Sequence, residues 1–453
     1  MVKVPPTSKL GRTAVTGLAL AHAGASRLGH KARQVMRSNE EKSSAQEEHE
    51  AQLGRILFRA LNQLKGSALK ISQLLSMEAD FLPEGIRREL AKGCHQVTPL
   101  NRAHIHKVFQ REFNDAPENL FAHFDPHAFA AASLGQVHHA SLANGKALAV
   151  KVQYPGIAAS ISSDVRMLRG IFMTMSVGTD LLPDKSLIDR MTNELEQKLG
   201  EELDYEHEAA ELAWFRERTT LPGIVIPKSL DQLSSKRVLT MERLDGLHLD
   251  AWLATAPSQA QRNHFGQLLF DWFWFSVHTL GRVHADPHPG NFLFMPDGQL
   301  GVLDFGCTNV VSPEFCALMA ESWRALLMPD EVQRNLVLRR IYIDLGLFSA
   351  DLTAEDFDTQ VIPALKELHA WKIEPYGVRR FDFANKSPYP KSMDKQHGKV
   401  LSRQFAGYHA DMPYFDRANL GLMNMLKKIA AVVNTDNPWT TTSSLQERTS
   451  YAS

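Results

Sequence analysis

A lysine in the middle of an apolar, strand-like run constrains this chain more than any other feature of its sequence. The run is "ALAVKVQY", residues 147–154, and Lys151 lies near its centre. Burying an ammonium group without a partner is costly, so this lysine either faces solvent from an edge strand or binds an anion. A lysine that binds nucleotide phosphates requires a phosphate-covering loop before it, a glutamate partner after it and metal-binding groups further along.

The residues before Lys151 predict a β-hairpin that is preceded by a loop. "GQVHHASL", residues 135–142, comes before "ALAVKVQY", and the Asn144-Gly145 dipeptide between them is typical of hairpin turns. Upstream lies "AAASLGQ", residues 130–136, where a phosphate-covering loop is expected. The candidate nucleotide-binding residues of this loop are Ala130, Ala131, Ala132 and Ser133.

Two glutamate-containing segments follow the hairpin. A helical pattern runs from about Lys185 to Arg218 and includes "EELDYEHEAAELAWF", which offers several partners for a lysine. A strand is predicted over "RVLTMERL", and Glu242 near its end is a candidate for reading the adenine edge of a nucleotide where two lobes join. A solvated charge at the end of a strand explains Glu242 equally well.

Two acidic motifs further along provide the metal-binding groups that a nucleotide-binding lysine requires. In "HADPHPGN", Asp286 and Asn291 are five residues apart, which is the spacing of a kinase catalytic loop, and Asp304 in "LDFG" follows thirteen residues later. Mg²⁺ prefers oxygen ligands, so Asn291 and Asp304 are predicted to bind it. Asp286 is predicted to orient or deprotonate an attacking hydroxyl or water. Each motif alone is weak, but their order and spacing together are specific.

Two other functions compete with this interpretation. A metallohydrolase could use His284, Asp286 and His288, but such a site needs further ligands. His138 and His139 are the available candidates, and adjacent strand residues point to opposite faces. A pseudokinase that binds nucleotide as a scaffold, without turnover, is the other alternative and stays open.

Composition limits the partners and the compartment. The 453 residues include 50 basic and 51 acidic side chains, so bulk charge gives no support to a nucleic-acid partner. The 3 cysteines are too few and too scattered for a disulfide framework, which favours a reducing compartment. The expected location is the cytoplasm or the inner face of a membrane, or an organelle matrix in a eukaryote.

Peripheral membrane association is a further prediction. Residues 13–25 are small and largely apolar, and basic residues such as Arg12 and Arg27 flank them. A helix lying on a membrane surface and a solvated extension are equally compatible with this segment. The C-terminal "LGLMNMLKKIAAVV", residues 420–433, is expected to contribute to the same association. The chain has no uncharged apolar run of 18 residues, so a spanning helix is not expected.

The pattern of strands and helices predicts an α+β chain with two unequal lobes. A helical stretch comes first, a small β-containing segment follows, and the remainder is rich in helices. The predicted boundaries are 1–50 for an N-terminal extension and linker, 51–115 for a helical region, 116–245 for the smaller lobe, 246–435 for the larger lobe and 436–453 for a tail.

These motifs together resemble the UbiB/AarF family of atypical kinase-like proteins, which is linked to coenzyme Q biosynthesis. The resemblance covers roughly residues 50–430 and rests on "AAASLGQVH", where protein kinases carry glycines, and on "VKVQYPGI", "EELDYEHEA", "HADPHPGNF" and "LDFG". The family's K-x-G-Q signature is present as Lys70-Ile71-Ser72-Gln73, with Ser72 in place of glycine.

The resemblance implies a protein-kinase-like two-lobed fold whose N-terminal K-x-G-Q helices cover the active site. It assigns Glu208 as the partner of Lys151 and matches the family's E-x-D motif to Glu202 and Asp204. On one continuous helix, Glu202 and Glu208 would be about 240° apart and face different directions. The further nucleotide-site residues that it implies are Lys70 and Gln73.

The resemblance also implies ATP or ADP and Mg²⁺ as cofactors. Two departures from ordinary protein kinases argue against a peptide substrate: His288 stands where a lysine is usual, and "SPE" at Ser312–Glu314 comes too soon after "DFG" to anchor an activation loop. The expected activity is therefore that of an ATPase or of a kinase acting on a small molecule or lipid, in support of ubiquinone biosynthesis or related lipid metabolism. A lipid or quinone precursor is the expected ligand.

Overall fold

The computed structural model describes residues 102–132, 134–176, 185–390 and 405–440, together with Glu48 and short helical pieces between residues 51 and 89. Contacts divide the chain into two units. Unit 1 combines Met1–Ala210 with Lys228–Arg243, and unit 2 combines Glu211–Pro227 with Leu244–Ser453.

The sheet of unit 1 is antiparallel and contains the predicted hairpin. Its strand order is β1-β2-β3-β5. The strands are β1 (His123–Ala132), β2 (Gly135–Ser141), β3 (Ala147–Gln153) and β5 (Val238–Glu242). Strands β2 and β3 pair from Gly135↔Gln153 to Ser141↔Ala147, and Gly145 takes a φ of 82° in the connecting turn. The hairpin prediction is therefore confirmed, as is the strand at Val238–Glu242.

Strand β3 is an interior strand, and this decides the environment of Lys151. It pairs with β2 on one side and β5 on the other. Leu148, Val150 and Val152 are fully buried, and Lys151 is only 7% exposed. The alternative of a lysine facing solvent from an edge strand is therefore wrong.

The alanine segment forms the end of a strand and not a loop, contrary to expectation. Ala130, Ala131 and Ala132 belong to β1 and pair with Val137, Gln136 and Gly135. The connection is thus limited to residues 133 and 134, and Ser133 lies outside the described residues. Gly135 permits this tight arrangement, because a Cβ at that position would lie 2.4 Å from the carbonyl oxygen of Val152.

Two apolar clusters build unit 1. Helices α1 (Arg102–Phe113) and α2 (Pro117–Leu120) accompany the sheet, and Phe109 contacts Phe121 and Phe124 edge to face. The second cluster involves helices α3 (Ile157–Ser176) and α4 (Lys185–Glu201). Leu57, Ile71 and Ile86 of the N-terminal region are fully buried in it. Ile71 belongs to the predicted K-x-G-Q signature, whereas Lys70 and Gln73 lie outside the described residues.

The helix predicted from Lys185 to Arg218 is interrupted. Helix α4 ends at Glu201 and α5 (Tyr205–Arg218) begins four residues later. Asp204 caps α5, since its Oδ1 accepts a hydrogen bond from the backbone N of His207 at 3.1 Å. The side chain of Gln153 donates to the carbonyl of Leu203 at 2.5 Å. Glu202 and Glu208 are therefore not on one continuous helix, and the 240° separation is wrong.

Unit 2 is mainly helical and has three small sheets. The sheets have the orders β4-β8-β7, β6-β9 and β10-β11. Their strands are β4 (Ile224–Val225), β6 (Arg282–His284), β7 (Phe292–Phe294), β8 (Leu300–Val302), β9 (Thr308–Val310), β10 (Arg380–Asp382) and β11 (Val432–Asn434). The α-helices that the structure describes after α5 are α6 (Leu249–Ala254), α7 (Gln259–Trp274), α8 (Pro313–Leu326), α9 (Glu331–Asp344), α10 (Ala354–Asp356), α11 (Ile362–Ile373) and α12 (Met412–Ile429).

The C-terminal segment at residues 420–433 is part of the core of unit 2, and not a membrane-facing surface as expected. Within α12, Leu422, Leu426 and Ile429 are buried. Lys428 pairs with Asp250. This segment cannot present its apolar side chains to a lipid surface while unit 2 is folded, because they already pack in the protein interior. Across the described residues, no helix combines the length and apolarity needed to cross a bilayer.

The close approach at Gly135 yields the first prediction. Gly135→Ala should lower the free energy of unfolding by about 1–3 kcal/mol, because the new Cβ forces β2 away from the backbone of β3. Gly170→Ala in α3 is the matched control, since a Cβ there meets nothing within 4 Å. The control should be neutral or stabilising by up to about 1 kcal/mol. Urea unfolding measures both, and equal stabilities would contradict the prediction.

Candidate functional site

The lysine and glutamate predicted to pair do so in unit 1. Nζ of Lys151 on β3 lies 2.9 and 2.8 Å from the two carboxylate oxygens of Glu208 on α5. Their side chains are 9% and 2% exposed. The ammonium also lies 4.9 Å from the ring centroid of Tyr205, which covers it on another side. The arrangement holds a positive charge at a defined position in the protein interior, as phosphate binding requires.

Glu242 is engaged in a separate ion pair. It is the last residue of β5, and its carboxylate pairs with Lys146 and accepts a hydrogen bond from the backbone N of Lys228 at 3.1 Å. These contacts tie the end of β5 to its surroundings. A role for Glu242 in adenine recognition stays a prediction.

The E-x-D residues form the turn before α5. Asp204 is used as the N-terminal cap of the helix that carries Glu208. Through this cap, the turn helps to set where α5 begins and therefore where the Glu208 carboxylate lies. A direct role for Glu202 or Asp204 at the nucleotide stays a prediction.

In unit 2, the "HADPHPGN" segment forms an ordered loop between β6 and β7. A 3₁₀ turn at Pro289–Asn291 ends the loop. Nδ1 of His288 accepts a hydrogen bond from the backbone N of Gly290 at 3.0 Å. His288 therefore shapes this turn, which places Asn291 back beside Asp286.

Asp286 is held at both carboxylate oxygens. Its Oδ2 accepts a hydrogen bond from Nδ2 of Asn291 at 2.9 Å, and its Oδ1 accepts one from Nη2 of Arg417 at 3.1 Å. The same Asn291 nitrogen lies 3.0 Å from the backbone carbonyl of Asp286. Because the amide nitrogen faces Asp286, the amide oxygen is the atom of Asn291 suited to a metal ion.

The "DFG" turn lies against this loop. The backbone N of Leu303 donates to the carbonyl of Asn291 at 3.0 Å, which brings the segments of the two predicted metal ligands together. Oδ1 of Asp304 accepts a hydrogen bond from the backbone N of Gly306 at 2.9 Å. Asn291 and Asp304 thus supply two oxygen-bearing side chains on adjacent segments, a donor set that suits Mg²⁺.

His284 links the two motifs from the interior. Its Nε2 lies 2.5 Å from the backbone carbonyl of Asp304, and its ring meets Phe305 edge to face. Burial lowers the pKa of His284, which favours the neutral ring. Since a carbonyl accepts only, Nε2 carries the proton and donates a hydrogen bond to the backbone carbonyl of Asp304. His284 therefore has a structural role in the loop.

The histidines do not assemble a metal centre in the part of the chain that the structure describes, where no group of three or more histidine, cysteine or acidic side chains is placed to hold a metal ion. The ring of His138 lies 2.8 Å from the amide nitrogen of Gln136 and 2.9 Å from the carbonyl of Asp125. The described residues therefore give no support to the metallohydrolase alternative.

Sequence reasoning missed Arg417. It lies on α12, 131 residues after Asp286. In the sequence it is one basic residue in an amphipathic helix, "MPYFDRANLGLMNMLKKI", and this pattern carries no sign of its partner.

Comparison with known proteins defines the class. Residues 92–335 match the ABC1 atypical kinase-like domain, which is more than half of the chain. The chain therefore belongs to the ABC1 atypical kinase-like family, which confirms the resemblance drawn from its motifs. Its fold is similar to that of the Rv3197–erythromycin complex from Mycobacterium tuberculosis, with a TM-score of 0.58 and 24% identity over 88% of this chain and 96% of the other. This likeness supports the kinase-like fold.

Three named relatives are similar to parts of this chain. The chain is 32% identical to the mitochondrial atypical kinase COQ8B of Danio rerio over 55% of its own length and 40% of the relative. It is 31% identical to an uncharacterized chloroplastic aarF domain-containing protein kinase of Arabidopsis thaliana over 63% of its length and 42% of the relative. It is also 31% identical to the mitochondrial atypical kinase coq-8 of Caenorhabditis elegans, over 59% of its own length and 35% of the relative. The matches thus span less than half of each of these relatives.

The buried pair in unit 1 yields the second prediction. Lys151→Met and Glu208→Gln should each destabilise the protein by about 3–5 kcal/mol, because each leaves one buried group without its charged partner. The double variant should lose less than the sum of the two. Lys146→Met is the control, since its pair with Glu242 is partly exposed and should cost about 1 kcal/mol or less. Urea unfolding of all four variants checks this, and additive losses would contradict it.

Proposed function

We propose that this chain binds Mg-ATP and Mg-ADP and acts as an atypical kinase or ATPase. The observation that carries the proposal is the Asp286–Asn291 pair, in which the candidate catalytic carboxylate and a candidate metal ligand are joined at 2.9 Å. Phosphoryl transfer depends on positioning and on neutralising charge more than on covalent chemistry. A loop that fixes a carboxylate and leaves an amide oxygen for Mg²⁺ suits that need.

Each of the paired groups has a proposed role. The Lys151 ammonium binds the α- and β-phosphates, and Glu208 holds it in place. Asn291 and Asp304 provide oxygen ligands for Mg²⁺, which would neutralise phosphate charge when bound. Asp286 orients or deprotonates the attacking hydroxyl or water. Further contacts to the nucleotide are proposed for the β1–β2 hairpin (Ala130, Ala131, Ala132 and Ser133), for Glu242, and for Lys70, Gln73, Glu202 and Asp204.

The proposed substrate is water, a small molecule or a lipid, and the proposed setting is ubiquinone biosynthesis or related lipid metabolism. The relatives named COQ8B and coq-8 support the setting, and so does the family's link to coenzyme Q. The short segment after "DFG" argues against a peptide. The Ser312 hydroxyl accepts a hydrogen bond from the backbone N of Phe315 and caps α8, which begins at Pro313, so "SPE" is the start of a helix. Little chain is left between Asp304 and that helix to form a peptide platform.

A pseudokinase is the second candidate. The observation that favours it is the short β1–β2 connection, because Ala130–Ala132 are paired in a strand and offer less free backbone to phosphates than a glycine loop does. The two candidates differ in turnover. Mg-ATP binding with slow hydrolysis supports the enzyme. Binding without hydrolysis, even after a lipid or a quinone-like phenol is added to the assay, supports the scaffold.

Removal of one metal-ligand charge gives the third prediction. Asp304→Asn should weaken Mg-ATP and Mg-ADP binding about tenfold or more, which is about 1.4 kcal/mol, because an anionic oxygen ligand is lost. Asp297→Asn is the matched control, since that carboxylate caps the turn before β8 by accepting from the backbone N of Gln299 at 3.1 Å. Titration calorimetry measures both variants. Unchanged affinity in Asp304→Asn would remove Asp304 from the metal site.

The proposal of peripheral membrane association rests on the N-terminal segment alone. Residues 13–25 of this segment lie outside the described residues. Neutralising Lys9, Arg12 and Arg27 should reduce binding to anionic vesicles, because each basic residue near such a surface contributes about 1 kcal/mol. Flotation at low salt is the measurement, with neutral vesicles and high salt as controls. Equal flotation of wild type and variant would contradict the electrostatic part of this proposal.

A further inference from the structure

Helix α12 packs directly on the candidate catalytic loop in unit 2. A Cβ on Gly421 would lie 2.1 Å from Cγ of Pro287, so the helix backbone approaches the loop closely at this glycine. Arg417, one helical turn earlier on the same face, reaches Asp286, the residue before Pro287. Two positions of one helix thus contact two consecutive residues of the loop.

The residues before α12 hold the segment that follows "DFG". Oδ1 of Asp411 accepts a hydrogen bond from Nδ2 of Asn309, and its Oδ2 accepts one from the backbone N of Ser312, both at 3.0 Å. The ring of His409 stacks on Phe315 with the centroids 4.9 Å apart. The same C-terminal segment therefore secures both the catalytic loop and the start of α8.

The Arg417–Asp286 contact is largely shielded from water. The two side chains are 12% and 13% exposed, so the ion pair is less screened than a surface pair. Asn291 holds one carboxylate oxygen of Asp286, and Arg417 holds the other. With one contact, the carboxylate could still rotate about its Cβ–Cγ bond. The second contact fixes its plane.

Arginine suits this task better than lysine. Its guanidinium stays charged at every accessible pH, and its planar fork has several donors. Here the same Nη2 also lies 3.5 Å from Sγ of Cys307, the residue after "DFG". The guanidinium therefore contacts the catalytic loop at Asp286 and the residue that directly follows "DFG". Arg417 lies outside residues 92–335, the part of the chain that matches the family.

We infer that α12 belongs to the active site and that Arg417 is a positioning residue, which fixes the Asp286 carboxylate for phosphoryl transfer. This inference rests on the proposed function. A carboxylate that must accept or orient a proton of the nucleophile works within a narrow geometry, and small displacements there cost up to about a hundredfold in rate. Arg417 acts through Asp286 and touches no reacting atom itself.

The experiment compares Arg417→Met and Arg417→Lys with Arg262→Met. Arg262 donates to the carbonyls of Pro257 at 3.1 Å and Ile429 at 2.8 Å, so it secures the far end of α12 and serves as the matched control. Single-turnover ATP hydrolysis, with the full chain in excess over radiolabelled ATP, measures the rate of transfer to water. Titration calorimetry measures Mg-ATP affinity, and thermal unfolding measures stability.

The expected result separates rate from binding. Arg417→Met should lower the single-turnover rate by about tenfold to a hundredfold and change Mg-ATP affinity by about twofold or less. Arg417→Lys should recover part of the rate because it restores the charge, and Arg262→Met should keep the wild-type rate. Gly421→Ala, which pushes the helix off Pro287, should slow the reaction as well.

Two results from the variants would overturn the inference. One is a wild-type rate in Arg417→Met, and the other is the same loss of rate in Arg262→Met, which would reduce the role of Arg417 to general stability. A wild-type chain that binds Mg-ATP without hydrolysing it also overturns the positioning role and leaves the scaffold. Failure of the proposed function itself looks different, because the wild type would then show no affinity for Mg-ATP.

Discussion

The burial of one ammonium group determines much of unit 1. Lys151 lies on an interior strand, where an unpaired charge would cost several kcal/mol, so the chain must bring an anion to it. Glu208 meets this need with both oxygens. That contact requires α5 to begin where it does, and the cap by Asp204 and the bond from Gln153 to the carbonyl of Leu203 secure the turn before it. Sheet, turn and helix are thus joined through one ion pair.

Unit 2 fixes its acidic groups by a chain of short contacts. His284 holds the carbonyl of Asp304, the backbone of Leu303 holds Asn291, and Asn291 holds Asp286. Arg417 adds the last contact from the C-terminal helix. Each group is oriented by a neighbour, which is the arrangement that catalysis by positioning needs. Burial lowers the pKa of His284 and so favours the neutral ring, since a charged imidazole there would have to be desolvated.

Local patterns allowed part of this architecture to be predicted. The Asn144-Gly145 dipeptide and the strand-like runs on either side of it were sufficient for the hairpin, because both signals act within a few residues. The break between α4 and α5 was missed, since Glu202, Leu203 and Asp204 are each compatible with a continuous helix, and only the structure shows that Asp204 caps the start of α5. The alanine segment was placed in a loop, although alanine is compatible with either state. Pairing with Gly135–Val137 places this segment in a strand.

The sequence by itself determined which chemistry is available and in what order: a lysine in a strand, a glutamate after it, and Asp286, Asn291 and Asp304 at kinase-like spacing. Each of these signals lies within a short segment, so it can be recognised in the sequence without knowledge of the fold. Only the tertiary structure decided what lies beside them. It buried apolar side chains of residues 420–433, such as Leu422 and Leu426, in a core and brought Arg417 to Asp286. A contact between residues 131 positions apart leaves no periodicity or spacing in the chain, because it depends on how whole helices pack.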